Sequence, residues 1–274
     1  MSLKSEWRLI DSGEGDAYAN MAIDEAITFS VINGGSPPTL RVYAWKVPSV
    51  SLGYFQRIDD IDIAYCLENN LPVVRRPTGG RAILHGDELT YSFASANTGV
   101  FDTGLRESYY LLGQCFFYAF QMLGLDVEMM NKRQKGSILT RSPLCFNSTS
   151  FGEITFKGFK LIGSAQRRWQ KGFLQQGSIP FCIDEEMTKR IFKLPDDRFA
   201  EMKGLRNFID IDRHKMKEAI SHAFEEIFNV RLVLSHLSED ELLLAEDLLR
   251  GRYLRSEWNL SRSVELMMSD NRRG

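Results

Sequence analysis

Short segments of strand character and of helical character follow one another without the strict strand–helix alternation that builds a parallel sheet, and this order most limits the fold. Trp7 to Ile10 reads as an opening strand. Between Ala17 and Ile32, apolar residues recur at helical spacing (Ala22, Ala26, Phe29 and Ile23, Ile27), and Asn33-Gly34-Gly35 ends the run. Leu40 to Trp45 and Ser49 to Tyr54 read as strands divided by Pro48. Ile61 to Asn70 reads as a short helix, Leu71 to Arg75 as a strand, and Leu89 to Phe93 as an alternating strand. An amphipathic helix is expected from about Leu105 to Leu123, followed by a polar basic loop from Asn131 to Ser142. Phe151 to Phe156, a turn at Lys157-Gly158 and Lys160 to Ile162 predict a hairpin, and Phe173 to Ile179 continues the sheet. Helices are predicted around Asp184 to Phe192, Arg213 to Phe228 and Ser238 to Arg250. Such interleaving predicts an α+β fold with a mixed sheet.

A chain of 274 residues, 43% hydrophobic and 26% charged, can bury a sizeable core. It shows no Pro/Gly/Ser-rich linker and no internal repeat, so one domain is the simpler expectation. The net charge of −2 gives no support for a bulk nucleic-acid binder. Met1 to Ile10 carries Lys4, Glu6 and Arg8 and does not read as a signal peptide. The most apolar stretch, Tyr109 to Leu125, is interrupted by Gln114 and Gln121 and is too short to span a bilayer. A soluble cytoplasmic protein acting away from membranes is expected. Cys66, Cys115, Cys145 and Cys182 form no CxxC pair and no Cys/His cluster, which argues against structural zinc.

Three clusters carry candidate chemistry. In Arg75-Arg76-Pro77-Thr78-Gly79-Gly80-Arg81-Ala82-Ile83-Leu84-His85-Gly86, the paired glycines would let backbone N–H groups approach a ligand, and the arginines would supply a positive field. A bare Gly-Gly is more often a surface turn. Neither a Walker A motif nor a dinucleotide fingerprint is present. In Lys160-Leu161-Ile162-Gly163-Ser164-Ala165-Gln166, a lysine could place its ammonium on a site floor, although an exposed strand-end lysine is the commoner outcome. In Ser142-Pro143-Leu144-Cys145-Phe146-Asn147, the thiol follows a basic loop, whereas Cys115, Cys66 and Cys182 read as packing residues. His214, His222 and His236 read as solvated, leaving His85 as the histidine with a case. Trp258 and Asn259 suggest no chemistry.

Taken in order, NMAIDEA (20–26), RRPTGGRAILH (75–85), ELTYS (88–92), the cysteine of LCF, KLIGSAQ (160–166) and LQQGS (174–178) resemble the biotin/lipoate protein ligase superfamily, specifically its lipoate-ligase-like octanoyltransferases. The similarity runs from about Trp7 to Asn259. It implies a single catalytic domain spanning 1–274 (core about 7–259), a mixed, largely antiparallel sheet packed by helices, and no separate accessory C-terminal domain. It also implies octanoyl-acyl carrier protein as donor and a lipoyl domain, such as the glycine cleavage H protein, as acceptor. No cofactor is implied. ATP-using ligases of the superfamily usually show a third glycine where Arg81 stands and an Asn-Asp where Cys145 stands. Gly86 departs from the Asp that often follows the histidine.

The resemblance carries catalytic roles onto Cys145 and Lys160, and substrate contacts onto Arg76, Thr78, Gly79, Gly80, Arg81, His85, Gly163, Ser164 and Ala165. An acyl thioester is already activated, so its transfer needs a nucleophile and positioning but no nucleotide. A free thiol titrates near roughly 8.5 and is mostly protonated at neutral pH; an adjacent ammonium would favour the thiolate. Backbone N–H groups near Gly79-Gly80 could polarise the thioester carbonyl. Burial of five or six methylenes, at about 0.8 kcal/mol each, is worth about 4–5 kcal/mol and selects a medium chain. Arg75, Lys132, Arg133, Arg141, Arg167 and Arg168 could together meet acidic carrier proteins. An amidotransferase between lipoyl domains, an ATP-dependent lipoate ligase and a non-catalytic acyl-binding protein are the alternatives.

Overall fold

The computed structural model describes residues 4–130, 152–194 and 202–260. The basic loop from Asn131 to Ser142, Cys145 and Phe151 lie outside the described residues.

The chain opens with β1 (Ser5–Gly15), α1 (Ala17–Ile32), β2 (Thr39–Trp45) and β3 (Ser49–Leu52). It continues through α2 (Ile63–Glu68), β4 (Val73–Arg75), β5 (Ile83–His85) and β6 (Glu88–Ala96). Next come α3 (Leu105–Met122), β7 (Glu128–Met129), β8 (Ile154–Phe156) and β9 (Phe159–Lys160). After these follow β10 (Gly163–Arg168), β11 (Gly172–Pro180), α4 (Glu185–Phe192) and α5 (Arg213–Phe228). The last described elements are β12 (Val230–Leu234), α6 (Glu239–Leu248) and α7 (Ser256–Asn259).

Six strands form the main sheet in the order β10-β11-β6-β2-β1-β12. Each of the first four is antiparallel to its neighbour, while β1 runs parallel to both β2 and β12, so the sheet is mixed as expected. Two three-stranded sheets flank it, β4-β3-β5 and β7-β8-β9. The predicted hairpin forms β8 and β9, and its two-residue turn has φ of 51° at Lys157 and 82° at Gly158. Positive φ at both positions is what a two-residue hairpin turn needs to match strand twist. The strand predicted from Lys160 to Ile162 is shorter than expected. It ends at Lys160, and the chain re-enters the main sheet at Gly163.

The period-two pattern of β6 sorts its side chains to opposite faces. Leu89, Tyr91 and Phe93 join the largest core, against Phe116 and Phe120 of α3 and Phe224 of α5. Phe93 lies 5.4 Å from the rings of both Trp7 and Phe101, and 5.5 Å from that of Phe224. Glu88, Thr90 and Ser92 point the other way and are also buried. α1 covers that second face. Asp16 starts it by accepting hydrogen bonds from the N–H groups of Tyr18 and Ala19. Asn20 and Asp24, one helical turn apart, share a flank and both receive the buried Arg41 guanidinium.

The C-terminal end of the described chain closes on β4. Asn259 Oδ1 accepts from the Arg75 N–H at 2.9 Å, and Trp258 Nε1 donates to the Arg75 carbonyl at 3.0 Å. The Arg75 guanidinium, fully inside, donates to the carbonyls of Gly53 (2.8 Å), Gln56 (2.7 Å) and Asn259 (3.2 Å). Trp258 and Asn259, without apparent chemistry in the sequence, thus fix the entry to the glycine loop. Asn259→Ala removes the acceptor of a buried N–H, a loss of about 1–3 kcal/mol. Urea unfolding should show a lower midpoint with an unchanged slope; an unchanged midpoint would remove Asn259 from this role.

Candidate active site

The glycine loop is built around its own arginine. Arg76 Nη2 donates to the carbonyls of Gly79 and Arg81, each at 2.7 Å, while Nη1 donates to the carbonyl and hydroxyl oxygens of Ser51, each at 3.0 Å. The guanidinium bends residues 79–81 around itself and ties them to β3. Gly80 has φ of 84°, and a Cβ there would approach Arg76 Nη2 to 2.8 Å and the Ala165 Cβ to 3.4 Å. A Cβ at Gly53 would collide with the Gly80 carbonyl, and the Tyr54 N–H donates to Thr78 O at 2.8 Å. Both glycines are therefore demanded by close approach of backbone and side chains.

Thr78 connects this loop to the sheet. Its hydroxyl donates to Gln176 Oε1 at 2.7 Å, and Gln176 Nε2 donates to Asp24 Oδ2 at 2.6 Å. Asp24 Oδ2 also accepts from the Tyr43 hydroxyl at 2.9 Å; Oδ1 accepts from Arg41 and Ser92, each at 2.6 Å. An ionised carboxylate only accepts, so Asp24 fixes the Gln176 amide and leaves Gln176 Oε1 to take the Thr78 proton.

Beside the loop a narrow slot crosses the polar face of the sheet. Met21, Tyr43, Trp45, Arg76, Ile83 and His85 line it, together with Gly163 to Ala165 of β10 and Gln176 to Ser178 of β11. The slot crosses from β10 to β2, three inter-strand steps or roughly 14 Å. With about 20 Å³ of open room it is nearly closed, and Met21, whose unbranched side chain adapts readily, is its most compliant wall.

His85 is buried, not part of a surface turn. Its ring stacks on Trp45 with centroids 3.8 Å apart, Nδ1 meets Glu88 Oε1 at 2.9 Å and Nε2 meets Ser51 Oγ at 2.7 Å. The Glu88 carboxylate accepts, so Nδ1–H donates to it, and Ser51 in turn accepts from Arg76. Glu88 also accepts from Thr90, and from Ser178 at 2.9 Å; Trp45 Nε1 donates to Thr90 at 2.8 Å. Burial alone would push the Glu88 carboxyl up, but the adjoining His85, with Thr90 and Ser178, holds it below the usual carboxylate range.

Among the predicted site residues the structure gathers Arg76, His85, Gly163, Ser164 and Ala165 around the slot. Thr78 is buried behind the loop; Gly79 and Arg81 are half-buried, and Gly80 is exposed at the tip. Lys160 stands apart, in β9. Its buried ammonium donates to Glu153 Oε1 at 2.7 Å, so it is neither an exposed strand-end lysine nor part of the slot floor.

Of the expected basic patch, the described members Arg75, Arg167 and Arg168 are each engaged within the fold. Arg75 is enclosed. Arg167 lies over Tyr54 and Trp169 and donates to Pro77 O at 3.3 Å, and Arg168 donates to Ser108 at 2.9 Å and Thr103 O at 2.8 Å. Lys132, Arg133 and Arg141 lie outside the described residues. Burial pushes the Cys115 thiol well up and, with Asp62 nearby, Cys66 to about 11, which suits packing thiols. Cys182 is exposed rather than packed, because β11 has already ended at Pro180 and its side chain faces Arg206 at 3.6 Å.

Residues 16–225 match the family described as the lipoyl protein ligase A/B catalytic domain. This chain belongs to that family. Octanoyltransferase LipM of Anoxybacillus flavithermus is 36% identical over 94% of this chain and 99% of its own length. The enzyme of the same name from Moorella thermoacetica is 37% identical, over 92% and 97%, and that from Bacillus subtilis 34%, over 94% and 99%. The chain is accordingly a transferase enzyme. A lipoate-protein ligase A bound with ATP superposes with a TM-score of 0.80 at 24% identity, covering 94% of this chain and 99% of that one, a likeness of fold. No helix among the described residues is long and apolar enough to cross a membrane, and no group of three or more His, Cys, Asp and Glu among them could hold a metal.

The lipoyl ligase-family loop supports one direct expectation. Gly80→Val adds a branched side chain at positive φ beside Arg76. The variant should lose at least tenfold in kcat/KM for acyl transfer, with a fall in Tm of only a few degrees. Wild-type kinetics would show the loop to be an ordinary turn.

Proposed function

We propose that the enzyme moves an octanoyl group from octanoyl-acyl carrier protein to a lysine of a lipoyl domain, such as the glycine cleavage H protein, through a thioester on Cys145. The observation that carries this reading is the identity of 34–37%, over more than nine-tenths of the chain, to enzymes named octanoyltransferase. Cys145 lies outside the described residues, and its role rests on its place in the motif series. Arg81 and Cys145, where ATP-using ligases carry a glycine and an Asn-Asp, support transfer from an activated thioester over ligation.

In the first half-reaction the Cys145 thiolate attacks the thioester carbonyl. A new S–acyl bond forms, the carrier's S–C bond breaks, and the departing thiolate takes a proton. In the second, the acceptor lysine amine attacks the enzyme thioester, an amide forms, the amine loses a proton and Cys145 leaves as thiolate. Lys160 is the proposed proton carrier for both steps, held by Glu153. Its position three residues before Gly163 joins it to the slot wall through the buried pair Leu161 and Ile162. The acyl chain is assigned to the slot, which opens from about 20 Å³ to admit it, with Met21 as the yielding wall.

Offering the purified enzyme octanoyl-acyl carrier protein, an octanoylated lipoyl domain, or octanoate with ATP, each with a lipoyl-domain acceptor, separates the donors. Octanoyl-lysine should form from the carrier protein without ATP. Strict dependence on ATP and the free acid, or transfer only from the lipoyl domain, would contradict the reading. Lys160→Ala should lower the transfer rate about 10²–10⁴-fold at neutral pH; a normal rate would leave Lys160 a structural partner of Glu153.

A further inference from the structure

A second cavity, of about 320 Å³, adjoins the slot. Its lining is largely apolar, including Leu84, Pro180, Met187, Phe192 and Met202. Three residues line both spaces: Ile83, His85 and Ser178. They form a partition one side chain thick between a nearly closed slot and an open, apolar space.

Two of the three are locked. His85 is held by Trp45, Ser51 and Glu88, and Ser178 by its hydrogen bond to Glu88. Moving either would leave a buried donor or acceptor unmet, a loss larger than the gain from burying one more methylene. Ile83, 7% exposed on β5, is the remaining shared side chain and the one without polar partners to lose. Its backbone pairs with Ser51 in the β3–β5 ladder, so the same short strand positions Ile83 and His85 against the slot.

We propose that Ile83, His85 and Ser178 are the wall that sets the acyl chain-length limit, with Ile83 as the removable part and the outer cavity as the space a longer chain would enter. This rests on the octanoyl-transfer reading. Ser178 pairs with Gly163 of β10, and all three residues line the slot, so a chain lying in the slot runs against this wall. Beyond it, each added methylene would find apolar partners and gain about fourfold in binding, so it is the wall, not the surroundings, that excludes longer chains.

Ile83→Ala opens the partition without disturbing the Glu88 network, and Ile83→Val trims it by one methylene with little effect on folding. Met187→Trp fills the outer cavity from α4 and leaves the slot alone. Each variant would be assayed with octanoyl-, decanoyl- and dodecanoyl-acyl carrier protein, and by calorimetric binding of the three free fatty acids. Ile83→Ala should raise the dodecanoyl-to-octanoyl ratio of kcat/KM and of affinity at least tenfold, and Ile83→Val should raise the decanoyl ratio severalfold. Met187→Trp should keep octanoyl transfer, and the Ile83→Ala/Met187→Trp double variant should return to the wild-type preference.

Unchanged ratios in folded Ile83→Ala and Ile83→Val would overturn the proposal. Loss of octanoyl transfer in Met187→Trp alone would also overturn it, because the octanoyl chain would then occupy the outer cavity. A wild-type enzyme that bound octanoate but moved no octanoyl group would defeat the transfer reading instead, and the binding ratios would still judge the wall.

Discussion

The buried Asp24 carboxylate is the interaction on which the rest of the site depends. It comes from α1 and meets Arg41 and Tyr43 of β2, Ser92 of β6 and Gln176 of β11, so one side chain joins a helix to three adjacent strands. A carboxylate taken out of water is tolerable only when such partners satisfy it; removal of one partner from a buried ion pair typically costs about 3–5 kcal/mol. The pair with Arg41, 2.6 Å long and almost wholly enclosed, is therefore weak evidence for stability. It is stronger evidence for register, because the network closes only when α1 and all three strands stand in one arrangement.

From that anchor the site is reached in two hydrogen bonds, through Gln176 and then Thr78, to the loop bearing Gly79 and Gly80. Arg76 holds the same loop from within, and Arg75 holds its entry against Trp258 and Asn259. A flexible Gly-Gly turn is thereby mounted on strands and locked side chains, which preorganises it for a ligand. His85, held by Glu88, performs the corresponding task in the slot wall. The sheet thus divides its labour: one face is an aromatic core that supplies stability, and the opposite face is a satisfied polar layer that supplies geometry.

Much of this arrangement was legible in the residues. Helical periodicity placed α1 and α5 at the observed bounds, and Lys157-Gly158 announced its hairpin, because local backbone preferences decide those features. β12 was missed, since a parallel partner for β1 is chosen over two hundred residues away. β5 was missed because three residues are too few to show a period. The arginines misled for a different reason. A sequence reports a charge but not the carbonyls that will surround it, so Arg75 reads as surface when it is core, and Arg76 reads as ligand-facing although its guanidinium shapes the loop. The polar set Glu88, Thr90 and Ser92, alternating with Leu89, Tyr91 and Phe93, was the available signal for a buried polar face. α1 over Ser92, and His85 of β5 against Glu88, turn it inward.

A covalent intermediate on Cys145 is the central claim, and it has a direct test. The enzyme is mixed with octanoyl-acyl carrier protein and no acceptor, then its intact mass and the labelled peptide are measured. The account predicts one added octanoyl group, carried on the Cys145 peptide and absent from Cys66, Cys115 and the exposed Cys182. A label on another cysteine, or a Cys145→Ser enzyme that still transfers near the wild-type rate, would contradict it.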